Sequence, residues 1–274
     1  MLVGTVMNNK NIKFLSNFNI LASLITIFIQ FYILIYNNIG YQRTIFLLLF
    51  SLLTILALFG QKKYFTPSFL FSSFLAIISL RLANLSNLNF IFYLYLFIIC
   101  IQFIIFILYC QEKLKKLKDT TLLKEKIMLF QLVFIRIYVG YDLIPHFCEK
   151  LFAGNVVRNI DVLAFTSLGV PQPLFFVYFA GIIEFLGSLA FSCGIFLRLS
   201  SAGLALYLLI ATFLGHHFSL GFIWANRGGG WEFPVLWCVI ILSFTVIKPM
   251  LFTIDEYILK NFKLPKFLKK IIEF

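Results

Sequence analysis

Long apolar runs separated by short polar breaks dominate this chain. Eight runs stand out: roughly Phe18–Tyr36, Thr44–Gly60, Phe65–Leu82, Leu88–Cys110, Ile127–Pro145, Pro171–Phe191, Leu199–Gly215 and Trp231–Ile247. A helix rises about 1.5 Å per residue, so about 20 apolar residues cross about 30 Å of hydrocarbon. All eight runs are close to that length, although Pro67 and several serines dilute the third. The pattern predicts an all-α integral membrane protein of about eight transmembrane helices. The first run is too long for the core of a signal peptide and is followed at once by another span, so no cleaved leader is expected.

Composition strengthens that reading. Of 274 residues, 61% are apolar, 19% aromatic and only 12% charged. A soluble domain carries roughly 25% charged residues and could not hide this much apolar surface. The net charge is +12, and most of the lysines sit in the breaks between runs. Anionic lipid headgroups are the simpler partner for such charge, and nucleic acid is not expected. The five cysteines form no CxxC pair and four lie inside apolar runs, which argues against a disulfide framework or a zinc site.

Orientation follows from the basic residues. With the N-terminus inside and eight alternating spans, 17 of the 23 Lys and Arg fall in inside segments. The positive-inside rule then predicts cytoplasmic N- and C-termini. The longest charged run, residues 111–126, reads as a solvated cytoplasmic connector. It divides the chain into a four-helix membrane module (1–110), a second four-helix bundle (127–260) and a basic cytoplasmic tail (261–274). Spans before the connector carry almost no ionisable residues, while nearly every span after it does. Function is therefore expected in the second half.

Ionisable groups inside a span cost several kcal/mol unless paired or hydrated. Arg136 lies about 15 Å into the fifth span and Glu184 about 20 Å into the sixth from the other side. An Arg136–Glu184 ion pair near the midplane is the natural expectation, either as a lock on the bundle or as part of its chemistry. Ala180, Glu184, Gly187 and Ser188 share one helix face, as do Arg136 and Gly140, so small residues would let the two helices approach closely. A second constellation is expected at the outer ends of the last four spans. Asp142, His146 and Glu149 would close the fifth span, His216 and His217 the seventh, and Arg227 and Glu232 flank the eighth. Histidine there can bind a ligand or exchange protons near neutral pH, or simply rest satisfied at the interface. The spacing suits no zinc site. The run Asn226–Glu232 is a glycine-rich turn, either a tight approach to the last span or a source of free N–H groups for an anion.

These stretches resemble the DoxX family of small bacterial membrane proteins: RIYVGYDLIPHFCEKLFAG, LGVPQP, GIIEFLGSLAFSCGIFLRL, HHF, GGGWEFPVLW and FTID, in that order over about 130–260. Two features depart from the family pattern: Gly187-Ser188 replaces two adjacent glycines, and Lys248-Pro249-Met250 replaces a Gly-x-Gly. The resemblance implies a four-helix bundle in the bacterial inner membrane. Some relatives are membrane subunits of a thiosulfate:quinone oxidoreductase, and others associate with redox proteins. A quinone-linked redox component is thus the first expectation, with Glu184, Arg136, His146 and His217 as the acting residues. Asp142, His216, Arg227 and Glu232 would bind the ligand. Quinone is the candidate cofactor, lipids and redox proteins the candidate partners. A small-solute transporter and a non-enzymatic membrane scaffold are the alternatives.

Overall fold

A computed structural model describes residues 10–37, 39–115, 117, 119–247 and 251–273. Lys116, Lys118 and the Lys248-Pro249-Met250 departure lie outside the described residues. Among those described there is no strand, and the chain is an all-α integral membrane protein. Four long helices come first: α1 (Lys10–Tyr36), α2 (Tyr41–Gly60), α3 (Phe65–Leu85) and α4 (Asn89–Lys115). After the connector come α5 (Thr120–Tyr141), α6 (Ile144–Leu151), α7 (Asn155–Ser167), α8 (Pro173–Cys193), α9 (Leu197–Leu214) and α10 (Glu232–Ser243). Two short helices, α11 (Ile254–Asn261) and α12 (Lys266–Glu273), follow.

Seven helical segments are long and apolar enough to cross a membrane. The eighth expected span is the exception. α10 has only 12 residues, about 18 Å of helix. Its end tightens into single-turn bonds, Phe244 N to Ile241 O and Thr245 N to Leu242 O, that stop the α-helix short of Ile247. The fifth span is longer than expected. It runs Thr120–Leu151, 32 residues, interrupted only by the turn at Asp142 and Leu143 just before Pro145, whose ring nitrogen has no proton to donate to the preceding turn. Asp142, His146 and Glu149 thus lie within this span instead of closing it. Asp119 starts the span as a helix cap, accepting from Thr121 N at 2.8 Å.

α1 is apolar outside and polar inside. Its buried positions include Ser16, Asn19, Ser23, Thr26 and Gln30, spaced three and four apart so that they form one stripe. Ser16 reaches Gln61, Gln61 donates to Ser72 at 3.0 Å, and Ser72 donates to Gln102 at 3.3 Å. Higher up, Ser51 and Tyr95 both donate to Gln30 Oε1 at 3.0 Å. Hydrophobicity cannot drive helices together in lipid, and such side-chain bonds hold them instead.

The two halves share their core. Phe74, Leu82 and Ile91 of the first half cluster with Ile144, Phe147 and Phe152 of the second. Arg81 of α3 forms an ion pair with Glu149 of α6, and Ser73 shares a 2.5 Å bond with Tyr141. Near the lysine-rich face, Phe252 packs against Phe69 at 5.7 Å and Phe106 at 5.2 Å.

Candidate functional site

Close packing of α5 on α8 sets the geometry of the charged residues. A Cβ on Gly140 would lie 2.6 Å from Ser192 Cβ, so only glycine permits this approach. Ser188 Oγ donates to the Gly140 carbonyl at 2.5 Å. This register carries Arg136 to the end of α8, where a Cβ on Gly194 would lie 3.1 Å from its Nη1. Glu184 stands ten residues back along α8, about 15 Å away along the axis.

Arg136 and Glu184 are therefore not paired, contrary to expectation. Both are buried, but each has its own partners. Arg136 Nη2 donates to the Phe252 carbonyl at 2.6 Å and Nη1 to Leu251 O at 3.5 Å. Glu184 accepts from Lys150 Nζ at 3.0 and 3.2 Å and from the Tyr207 hydroxyl at 2.6 Å. Lys150 belongs to α6, and it meets Glu184 because the fifth span continues past Pro145. Gly181 makes the contact possible, since a Cβ there would sit 2.9 Å from Lys150 Cβ.

Around this pair lies a charged layer. Arg158 of α7 donates from Nε to Lys150 O at 2.6 Å, and its guanidinium stacks 4.4 Å over the Tyr178 ring. Asp161, one turn further on α7, is half-buried, and its Oδ2 has no hydrogen-bond partner among the described residues. Burial pushes its carboxyl above the usual range, and Glu149 and Glu184 reinforce the shift against the opposing charge of Lys150. His146 is exposed on α6 and feels Asp161 electrostatically.

Asp255 performs a separate task. Its two carboxylate oxygens accept from Phe196 N and Leu197 N, both at 2.8 Å, and so cap the start of α9. Thr253 caps α11 by accepting from Glu256 N, while Glu256 accepts from Phe252 N, a reciprocal box. The sequence Thr253-Ile254-Asp255-Glu256 carried that signal. The FTID stretch is thus a clasp: Phe252 enters the first half, Arg136 grips its carbonyl, and Asp255 caps the second half.

The outer constellation divides. Asp142 lines a cleft of about 710 Å³ between α5 and α10, walled by Tyr138, Trp224, Phe233 and Trp237. Two other expected residues serve that cleft indirectly by fixing Trp224. His217 stacks on Trp224 with ring centroids 5.7 Å apart, and its Nδ1 lies 2.9 Å from Gly229 O. Glu232 accepts from Trp224 N at 3.1 Å. The glycine-rich turn folds back on the preceding loop, with Trp231 N donating to Gly221 O and Glu232 N to Phe222 O. His216 and Arg227 are exposed and do not line the cleft, and His146 faces the α7 side instead. Lys150, Tyr207, Arg158 and Asp161 were not expected at the site. Lys150 and Arg158 read as loop charges because the span seemed to end at Pro145.

A helical membrane protein emerges whose second half buries ion-paired charges and opens one aromatic cleft. Residues 131–217, within the C-terminal half, match the family model DoxX. The match covers Arg136, Lys150, Glu184 and His217 and stops short of the glycine-rich turn and the FTID clasp. No curated protein and no solved structure matches the chain.

Proposed function

We propose that this protein is a quinone-linked redox component of a bacterial inner membrane, with its lysine-rich face and both termini in the cytoplasm. The observation that carries the reading is the cleft between α5 and α10. Its volume of about 710 Å³ lies within the range of small-molecule sites. Its walls combine flat aromatic rings with aliphatic side chains, and Asp142 is the one carboxylate among the described residues that line it. That donor set fits a ring-bearing amphiphile better than a hydrophilic solute. A bound quinone supplies two-electron, two-proton chemistry, with a redox partner protein taking or giving the electrons. Asp142 would accept or deliver a proton at its carboxylate. Trp224 and Trp237 would hold the ring, with His217 and Glu232 as positioning residues behind Trp224. The buried Arg136 and the Glu184–Lys150 pair would hold the bundle in register.

Extraction of quinone from the purified protein, with a reduced-minus-oxidised spectrum, tests the reading. Bound quinone that is diminished in Asp142→Asn and Trp224→Ala supports it. A preparation with neither bound quinone nor quinone-dependent activity ends it.

One observation favours a transporter instead: the buried Lys150–Glu184–Tyr207 cluster with the unpartnered Asp161 oxygen above it. Ionisable groups at such depth often serve proton coupling. Proton-driven solute uptake in vesicles that is abolished in Glu184→Gln would support that second reading.

A further inference from the structure

At the lysine-rich end lies a second cavity, of about 390 Å³, far along the bundle from the aromatic cleft. It is walled by the α2–α3 turn, the ends of α4 and α5, and α11. Among the described residues, four lysines line it, Lys63, Lys113, Lys126 and Lys260, against a single carboxylate, Glu256. That carboxylate is already occupied by Phe252 N at 2.7 Å and by Lys260 at 2.5 Å. Two of the ammonium groups are seated over aromatic rings, Lys63 at 4.9 Å from Tyr64 and Lys113 at 5.3 Å from Tyr109. The floor is apolar: Phe130, Leu251 and Phe252.

A cationic rim over an apolar floor suits an amphiphile. A free phosphate ion would find the lysines but gain nothing from the floor. The segment most suited to a membrane surface follows α11, the last element to line the cavity, in sequence. α12 carries Lys266, Lys269 and Lys270 together with Phe267, Leu268, Ile271 and Ile272, a short basic amphipathic helix of the kind that rests at the headgroup level. We propose that this cavity is a lipid site, which holds the phosphate headgroup of an anionic phospholipid among its lysines and the start of an acyl chain on Phe130 and Leu251.

The test uses the full chain, purified and relipidated in nanodiscs of phosphatidylcholine containing phosphatidylglycerol, with retained lipid counted by native mass spectrometry. The double variant Lys63→Gln/Lys126→Gln should weaken retention of phosphatidylglycerol about 25-fold, about fivefold for each lysine. A variant with Lys266, Lys269 and Lys270 changed to Gln should keep the retained lipid. Equal retention of phosphatidylcholine, or unchanged retention in the cavity variant, overturns the proposal. Protection of the protein by inorganic phosphate as strong as that by the lipid overturns the lipid assignment. A second measurement needs no lysine change. Leu114→Trp places an indole at the cavity wall, and brominated phosphatidylglycerol should quench this added fluorescence more than brominated phosphatidylcholine does. Equal quenching would count against the site even where the lysine variants fail to fold.

Discussion

Glu184 and Lys150 are each about nine-tenths buried in their side chains. Removing one partner of such a pair leaves the other as an unpaired charge, which costs about 3–5 kcal/mol. Lys150→Met should therefore lower the unfolding midpoint in mild detergent sharply, while Lys150→Met/Glu184→Gln recovers most of the loss. A double variant as unstable as the single one would show that packing, not charge, sets the cost. The glycines offer a second measurement. Gly140→Val should destabilise by about 1–3 kcal/mol, because overpacking meets the α8 backbone. Gly203→Ala, with open space around it, should be neutral or stabilising by about 0.5–1 kcal/mol. At this scale the sequence showed which residues are buried and charged but not who pairs with whom. Arg136 and Glu184 each need a partner in lipid, and that much follows from their positions. The actual pairing depends on where Gly140 seats against Ser188 and Ser192, a contact that hydropathy does not encode.

Helices were legible where apolar length alone decides. α1 to α4, α8 and α9 fall close to the runs marked on the sequence. Two elements were misjudged for opposite reasons. Pro145 looked like a terminus, yet one missing N–H only interrupts the fifth span, because α6 continues along α8 beside Gly181. α10 looked full length, yet its apolar run outlasts its helix. α7 escaped notice because its 13 residues are mixed in polarity. The clasp at Thr253–Glu256 is the element most open to test. Asp255→Ala leaves two backbone N–H groups at the start of α9 without acceptors, at a cost of about 1–3 kcal/mol, visible as a lowered midpoint. Burial raises the Asp255 carboxyl above its ordinary value, against the pull of Leu197 N and Phe196 N. Folding therefore favours the protonated form. The associated stability is fully present below the unfolded-state pKa of about 3.9 and fades as pH rises through the raised folded value. Midpoints measured from pH 3.5 to 7 should show a downward slope in the parent that is absent in Asp255→Ala.

Over the whole molecule, lysines crowd one end. The turn at Lys63, the ends of α4 and α5 at Lys113 and Lys126, and α11 all meet there, whereas the α7 region and the glycine-rich turn lie at the other. Fusions at the C-terminus should report this directly. A fluorescent protein that folds only in the cytoplasm should glow, and a phosphatase that is active only outside it should stay silent. The reverse result would invert the arrangement and place the lysine-lined cavity on the outer leaflet. Charge divides the sequence at the connector, but nothing in it signals the core that residues on either side share. Phe74 meeting Phe147 and Phe185 is a contact between distant apolar residues that look alike in sequence.

The ion pair between Arg81 and Glu149 has a consequence for biogenesis. The ribosome delivers the first helices to the insertion machinery well before residue 149 emerges. Arg81 sits near the end of α3, where a long side chain can stretch to water while it waits. Glu149, on a shorter stem and in the last turn of α6, then enters a bilayer where its counterion is already installed. Synthesised without the leading module, the trailing bundle would have to insert that carboxylate unaccompanied, at a cost below the roughly 2.5–3.5 kcal/mol of a charge at a helix centre. The order of translation thus makes the front of this chain an insertion partner for the rear.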